Sequence, residues 1–201
     1  MKKMGLEATG PKPNLSKAQP GHKIYPYGLR GLEVSRVNQV WSTDITYIPM
    51  RNGFLYLTAV MDWYSRYILS WKLSNSLDGL FCREVLLEAI AVFGKPEWFN
   101  TDQGAQYTSF EFIEILVAAG IQISMDGRGR ALDNVWIERF WRAVKYEEVY
   151  ARDYSDGLVA HRSLEAYFPY YNNERPHSSL YYEAPADVYN GVKRGKTIVI
   201  K

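Results

Sequence analysis

VWSTDITYIPMRNGFLYLTAVMD, residues Val40–Asp62, is the stretch on which the reading of the whole chain turns. Val40–Met50 is rich in β-branched and aromatic residues, the composition of a strand. Arg51-Asn52-Gly53 follows as a hairpin signal, because Asn-Gly accepts the positive φ of a tight turn. Phe54–Asp62 is a nearly continuous apolar run, as a central strand requires. Arg66–Leu73 reads as a third strand, so the three form an antiparallel meander. Asp44 stands inside the first strand, on one face with Val40, Ser42 and Thr46 by period two. A carboxylate there is unfavourable on propensity grounds, so either the strand is an edge facing water or something offsets the cost.

Working downstream, a helix is expected over about Leu77–Phe93, with Phe81, Val85, Leu86, Ala89, Ile90 and Phe93 on one face and Gly94 ending it. Glu97–Asn100 is a short fourth strand, Ser109–Ala119 a second helix and Ile121–Ser124 a fifth strand. A basic Gly-Arg loop, Asp126–Arg130, precedes a long helix from about Leu132 to Tyr150, and a further helix spans about Asp156–Tyr171. The order implies an α/β fold: a mixed five-stranded sheet, the meander plus two parallel strands, flanked by helices. The crossover helix returns the fourth strand beside the first, parallel to it. That is a topological switch point, where α/β folds place their sites.

Upstream, residues 1–36 hold Pro11, Pro13, Pro20 and Pro26 and seven Lys/Arg against two acids, which predicts an extended basic arm. Residues 37–155 form the expected core, 156–190 a helical extension and 191–201 a basic tail with four Lys/Arg and no acid. The remaining middle is acidic, with 13 basic and 20 acidic residues. Basic ends on an acidic body suit a chain that meets phosphates at its periphery and metal at its centre, and solvated tails would look the same. Cys82 alone excludes an internal disulfide and a Cys-based zinc cluster, and reads as a buried apolar side chain. No apolar run approaches a membrane span, so a cytoplasmic, nucleoid-associated protein is expected.

Asp102 lies just past the fourth strand in Asn100-Thr101-Asp102-Gln103-Gly104, and by itself resembles a turn Asp bonding its own backbone. Glu138 lies on the long helix, whose apolar stripe reads as Leu132, Val135, Trp136, Phe140 and Val144. Asn134, Glu138, Arg142 and Lys145 share or adjoin another face, with an internal Glu138–Arg142 pair as the plainer alternative. Taken together, the topology brings Asp44 and Asp102 to adjacent strand ends and lays Glu138 over them. Two carboxylates ~5 Å apart repel by roughly 3 kcal/mol at an effective dielectric of 20. Protons or cations relieve that, and an all-oxygen set suits Mg²⁺ or Mn²⁺. Two such ions support phosphodiester chemistry. Arg128, Arg130, Arg139, Arg142 and Lys145 around the site suit DNA phosphates.

At these residues the sequence resembles the second-frame transposases of the IS3 group of insertion sequences, of the DD(35)E integrase class. The specific parts are Val40–Tyr47, Asn100–Ser109 and Asp133–Trp141, with 35 residues between Asp102 and Glu138. Tyr171–His177 and Ala184-Pro185 match the family's closing motifs, and Lys145 its lysine position. The resemblance implies an RNase H-like fold and two Mg²⁺ or Mn²⁺ ions on Asp44, Asp102 and Glu138. It also implies DNA cleavage that exposes a 3′-hydroxyl, followed by strand transfer. DNA contacts are expected from Lys145 and the Arg128–Arg130 loop, with Gln106 and Asn134 supporting the positioning. Expected partners are element ends and target DNA, a homo-oligomer on DNA, and an upstream-frame helix-turn-helix protein. Met1-Lys2-Lys3-Met4-Gly5-Leu6 resembles the tail of the family's helix-turn-helix region, which leaves autonomous transposition open. A nuclease that cuts without joining and an inactive DNA-binding remnant are the alternatives. His177, at a helix end after Arg-Pro, reads as a cap or packing residue.

Overall fold

A computed structural model describes residues 23–127 and 134–200. Arg128, Arg130 and the first part of the basic arm lie outside the described residues. Strand β1 (Glu33–Val34) is followed by the meander β2 (Val40–Pro49), β3 (Phe54–Asp62) and β4 (Ile68–Ser74). Then come α1 (Leu80–Phe93), β5 (Trp98–Thr101), α2 (Phe110–Ala118) and β6 (Gln122–Met125). The chain continues through α3 (Val135–Val144), α4 (Gly157–Asn173), α5 (Pro185–Tyr189) and β7 (Ile198–Val199).

The main sheet has five strands in the order β4-β3-β2-β5-β6. β2–β3 and β3–β4 are antiparallel, whereas β5 runs parallel to β2 and β6 parallel to β5. The crossover therefore closes as the sequence predicts, and β2 is the central strand. The edge placement that would have made Asp44 an ordinary solvated residue does not occur.

Alternation along β2 and β3 assigns the two faces. Trp41, Val60 and Phe99 pack with Phe81, Val85, Leu86 and Phe112 of α1 and α2. Ile48, Leu57, Ala59 and Met61 pack under α3 and α4. Helix starts follow local chemistry: Ser109 accepts from the Phe112 amide at the head of α2, and Asp156 accepts from the Leu158 and Val159 amides at the head of α4. Each cap is worth about 1 kcal/mol.

Three features depart from the sequence reading. The buried stripe of α3 is Ile137, Phe140, Trp141 and Val144, spaced i, i+3, i+4, i+7, while Val135 and Trp136 are only half-buried. The long helix also changes form: Lys145–Val149 is a π turn, with the Tyr150 amide bonded to the Lys145 carbonyl. Finally, the described parts of the arm and of the basic tail are packed on the core. β1 pairs antiparallel with β7, and Leu29, Val34, Leu180, Val188 and Ile200 share an apolar cluster with Val40 and Trp63. Part of the arm also crosses β6, where the Gly28 amide donates to Ser124 Oγ. Gly28 is required there, because a Cβ would stand 2.5 Å from the Trp98 ring. Covering an edge strand in this way protects its unpaired backbone.

The closing segment Tyr171–His177 is explained by anchoring. Asn172 Oδ1 accepts from the Ile68 amide and its Nδ2 donates to the Ile68 carbonyl, both at 2.9 Å. One side chain thus completes the start of edge strand β4 and fixes α4 to the sheet. Arg175 pairs with Glu147 of the π turn.

Candidate active site

Asp44 and Asp102 owe their proximity to strand register. Ser42 of β2 is paired with Asn100 of β5 in parallel. Two residues on, Asp44 within β2 feels the charge of Asp102, which stands one residue past the end of β5. Neighbouring strands lie about 4.8 Å apart. α3 covers the Asp44 face of β2, and Trp141 Nε1 of α3 donates to Asp44 Oδ2 at 3.0 Å.

The electrostatics report the same crowding. The Asp44 carboxyl is raised from 3.8 to about 7, chiefly by burial and next by the Asp102 charge. The Ile45 amide and Trp141 indole pull it back, and Glu138 adds a weaker push upward. Asp102 is also raised by burial, although its residue surface is open to solvent, and the Gly104 amide opposes the shift by donating to Oδ1 at 2.8 Å. Glu138 is exposed on α3 and its carboxyl is raised by partial burial.

The turn geometry foreseen for Asp102 and its membership of the acidic pair therefore coexist, since Oδ1 serves the turn and Oδ2 remains available. Gly104 has little freedom to change: a Cβ there would lie 2.9 Å from Asp102 Oδ1 and 3.3 Å from Gln106 Oε1. Among the described residues no three acidic, His or Cys side chains are gathered closely enough to hold one ion. Asp44 and Asp102 stand close enough to interact electrostatically, with Glu138 exposed on the overlying helix and acting on Asp44 more weakly. The donor set nevertheless fits a hard divalent cation: it is all oxygen, and a bound cation would offset the burial and the Asp102 charge that hold the inner carboxyl up.

Other expected site residues divide into two groups. Arg142 is exposed, with its guanidinium 5.6 Å from the Tyr146 ring centroid. Lys145 is half-buried where the π turn begins, two turns along from Glu138. Gln106 and Asn134, in contrast, are turned inward. Gln106 Nε2 donates to the Leu77 carbonyl at 3.2 Å, and Asn134 Nδ2 makes a long 3.5 Å contact to the Thr43 carbonyl beside Asp44. Both are buried, each with its amide nitrogen directed at a backbone carbonyl. His177 is a positioned neutral imidazole between Tyr171 Oη (3.2 Å) and Ser179 Oγ (3.1 Å), held down at about 4 chiefly by burial. Sequence reasoning missed Trp141 as a ligand of Asp44. Its position three residues after Glu138 was the available signal.

Two integrase core domain family models match residues 34–131 and 119–185. The transposase for insertion sequence element IS904 of Lactococcus lactis is 32% identical over 202 residues, covering 92% of this chain and 75% of that protein. The chain belongs to the insertion-sequence transposases. It carries their integrase catalytic core. Transposase InsF for insertion sequence IS3fB of Escherichia coli is 30% identical, covering 81% of this transposase chain and 62% of InsF. Solved structures agree on the fold. The magnesium-bound HTLV-2 integrase catalytic core, in a trimeric form, superposes with a TM-score of 0.63 at 20% identity over 80% of this chain and 99% of that one. A chain of the simian T-cell lymphotropic virus intasome in complex with PP2A regulatory subunit B56 gamma gives 0.68 at 21% identity, over 87% of this chain and 61% of that one. The architecture is thus the RNase H-like fold of retroviral integrase cores. No described helix is long and apolar enough to cross a membrane.

Proposed function

We propose that this transposase core cuts a DNA phosphodiester to expose a 3′-hydroxyl and joins that hydroxyl to a second phosphodiester, using Asp44, Asp102 and Glu138 to hold two Mg²⁺ or Mn²⁺ ions. The supporting observation is the carboxyl of Asp44 on the central strand, pushed up to about 7 by burial and by the neighbouring acids. When bound, such ions activate the attacking oxygen and stabilise the leaving one.

The chain's own residues do the rest. Trp141 fixes the orientation of the Asp44 carboxylate, and Gly104 with Gln106 holds the Asp102 turn. Asn134 steadies the strand next to Asp44. Glu138 closes over the pair when α3 settles against DNA. Arg142 and Lys145, with Arg128 and Arg130, neutralise strand phosphates along α3. End recognition by upstream helix-turn-helix material and assembly as a multimer on DNA complete the reading, since two element ends are joined to one target.

The test supplies a duplex with a pre-cut 3′-end and a target, with Mn²⁺. Joined strands that disappear in Asp102→Asn support the reading. Shortened strands without joining leave a nuclease, and no product from correctly folded protein leaves a DNA-binding remnant.

A further inference from the structure

A cavity of about 390 Å³ opens on the side of α3 away from Asp44, between that helix and the turn after α4. Its walls include Arg66, Trp136, Arg139, Tyr171, Arg175 and His177. On α3 the cavity takes the stripe Trp136, Arg139, Phe140, Ala143, whereas the acidic site takes Glu138 and Trp141. One helix therefore serves two separate polar surfaces.

Arg66 is the unusual member. It is 4% exposed, and its backbone is left-handed (φ 64°), a conformation non-glycine residues seldom adopt. Its guanidinium lies over the Trp136 ring at 3.8 Å, yet Nη1 is buried without a hydrogen-bond partner. Burying a cation with an unmet donor is costly unless a partner arrives. The acids near the cavity, Asp62 beside Arg66 and Glu147 beside Arg175 and His177, are already engaged. Asp62 accepts from the Asn38 amide, the Ser65 amide and Ser65 Oγ, and Glu147 is held by Arg175 and Tyr167. Among the described residues no carboxylate lies within 4.0 Å of Arg66 or Arg139. His177 is neutral, so it neither repels nor neutralises an anion.

We infer that this cavity is an anion site that takes a phosphate group of a DNA strand, gripped by Arg66 and Arg139 and walled by Trp136 and Tyr171. Phosphate suits it because it accepts several N–H donors at once and matches the planar guanidinium fork. The volume exceeds one phosphate and leaves room for the attached sugar against the aromatic walls. DNA as the source rests on the proposed function, and the phosphate chemistry does not.

Titration of the whole chain in EDTA at constant ionic strength tests this, with inorganic phosphate and a 5′-phosphorylated single-stranded trinucleotide as probes. The Trp136 indole N–H signal, assigned by its loss in Trp136→Phe, is followed by NMR. Saturable shifts are expected, with the trinucleotide binding about tenfold tighter and Arg139→Gln weakening both about tenfold, the loss of one charge-assisted contact. Equal affinity for the two probes supports the site and assigns it to free phosphate. Arg66→Gln should abolish binding. If that variant does not fold, the exposed Arg139 decides the matter. Absence of a saturable shift, or affinity unchanged in Arg139→Gln, overturns the inference. No metal or strand cleavage enters the measurement, so its failure is distinct from failure of the joining assay.

Discussion

Replacing Asp44 with Asn should destroy activity and at the same time stabilise the metal-free protein. The Asp44 carboxyl moves from 3.8 to about 7 on folding, first through burial and then through Asp102. A folded value above the unfolded one means that ionisation opposes folding. Asp44 contributes its full stability below about pH 4, and this is lost progressively as pH rises to about 7. At 1.36 kcal/mol per pH unit the loss totals about 4 kcal/mol at pH 8 and only about 1–2 kcal/mol at pH 5. Asn carries no charge and retains an oxygen for the Trp141 indole. For a chain of this size each kcal/mol moves Tm by roughly 2–4 °C. Calorimetry in EDTA at pH 8 should therefore show Asp44→Asn melting on the order of 10 °C above the parent, with a much smaller gain at pH 5. Added Mg²⁺ should narrow the gap by stabilising the parent alone. A variant that melts at or below the parent at pH 8, or gains equally at both pH values, refutes the reasoning.

Gly104→Ala places a Cβ 2.9 Å from Asp102 Oδ1. It should reduce Mn²⁺ affinity and strand joining by roughly 10–100-fold while changing Tm little, as measured by metal titration and melting. Trp141→Phe removes the donor to Asp44 Oδ2, so the acid limb of the joining rate should move to higher pH. Asn172→Ala loses both bonds to the Ile68 backbone and should cost about 2–3 kcal/mol in urea unfolding, leaving metal affinity intact. Cys82, buried and pushed up to about 12, should resist a thiol reagent in the folded protein and react once it is unfolded.

The meander and the crossover were legible because strand alternation, the Asn52-Gly53 turn and the helix caps are local signals. Asp44 and Asp102 followed from them, since register arithmetic alone brings these two together. The orientation of α3 was not. Two apolar stripes offset by one residue both fit its sequence, and only packing on β2 and β3 selects Ile137 and Trp141 over Val135 and Trp136. The inward turn of Gln106 and Asn134 depends on carbonyls of Leu77 and Thr43, one from another element and one across the fold. Pairing of β1 with β7 joins two-residue segments from opposite ends of the chain, too short for any periodicity to announce. Arg66 read as the start of a strand, whereas its left-handed backbone makes it a turn that delivers a cation beneath Trp136.

The most direct measurement is anomalous diffraction from crystals of this chain soaked in Mn²⁺. A peak is expected between the Asp44 and Asp102 carboxylates, with ligand distances of about 2.0–2.2 Å and Glu138 drawn toward it. Crystals that bind Mn²⁺ elsewhere, with that position empty and the two carboxylates unmoved, would contradict that expectation.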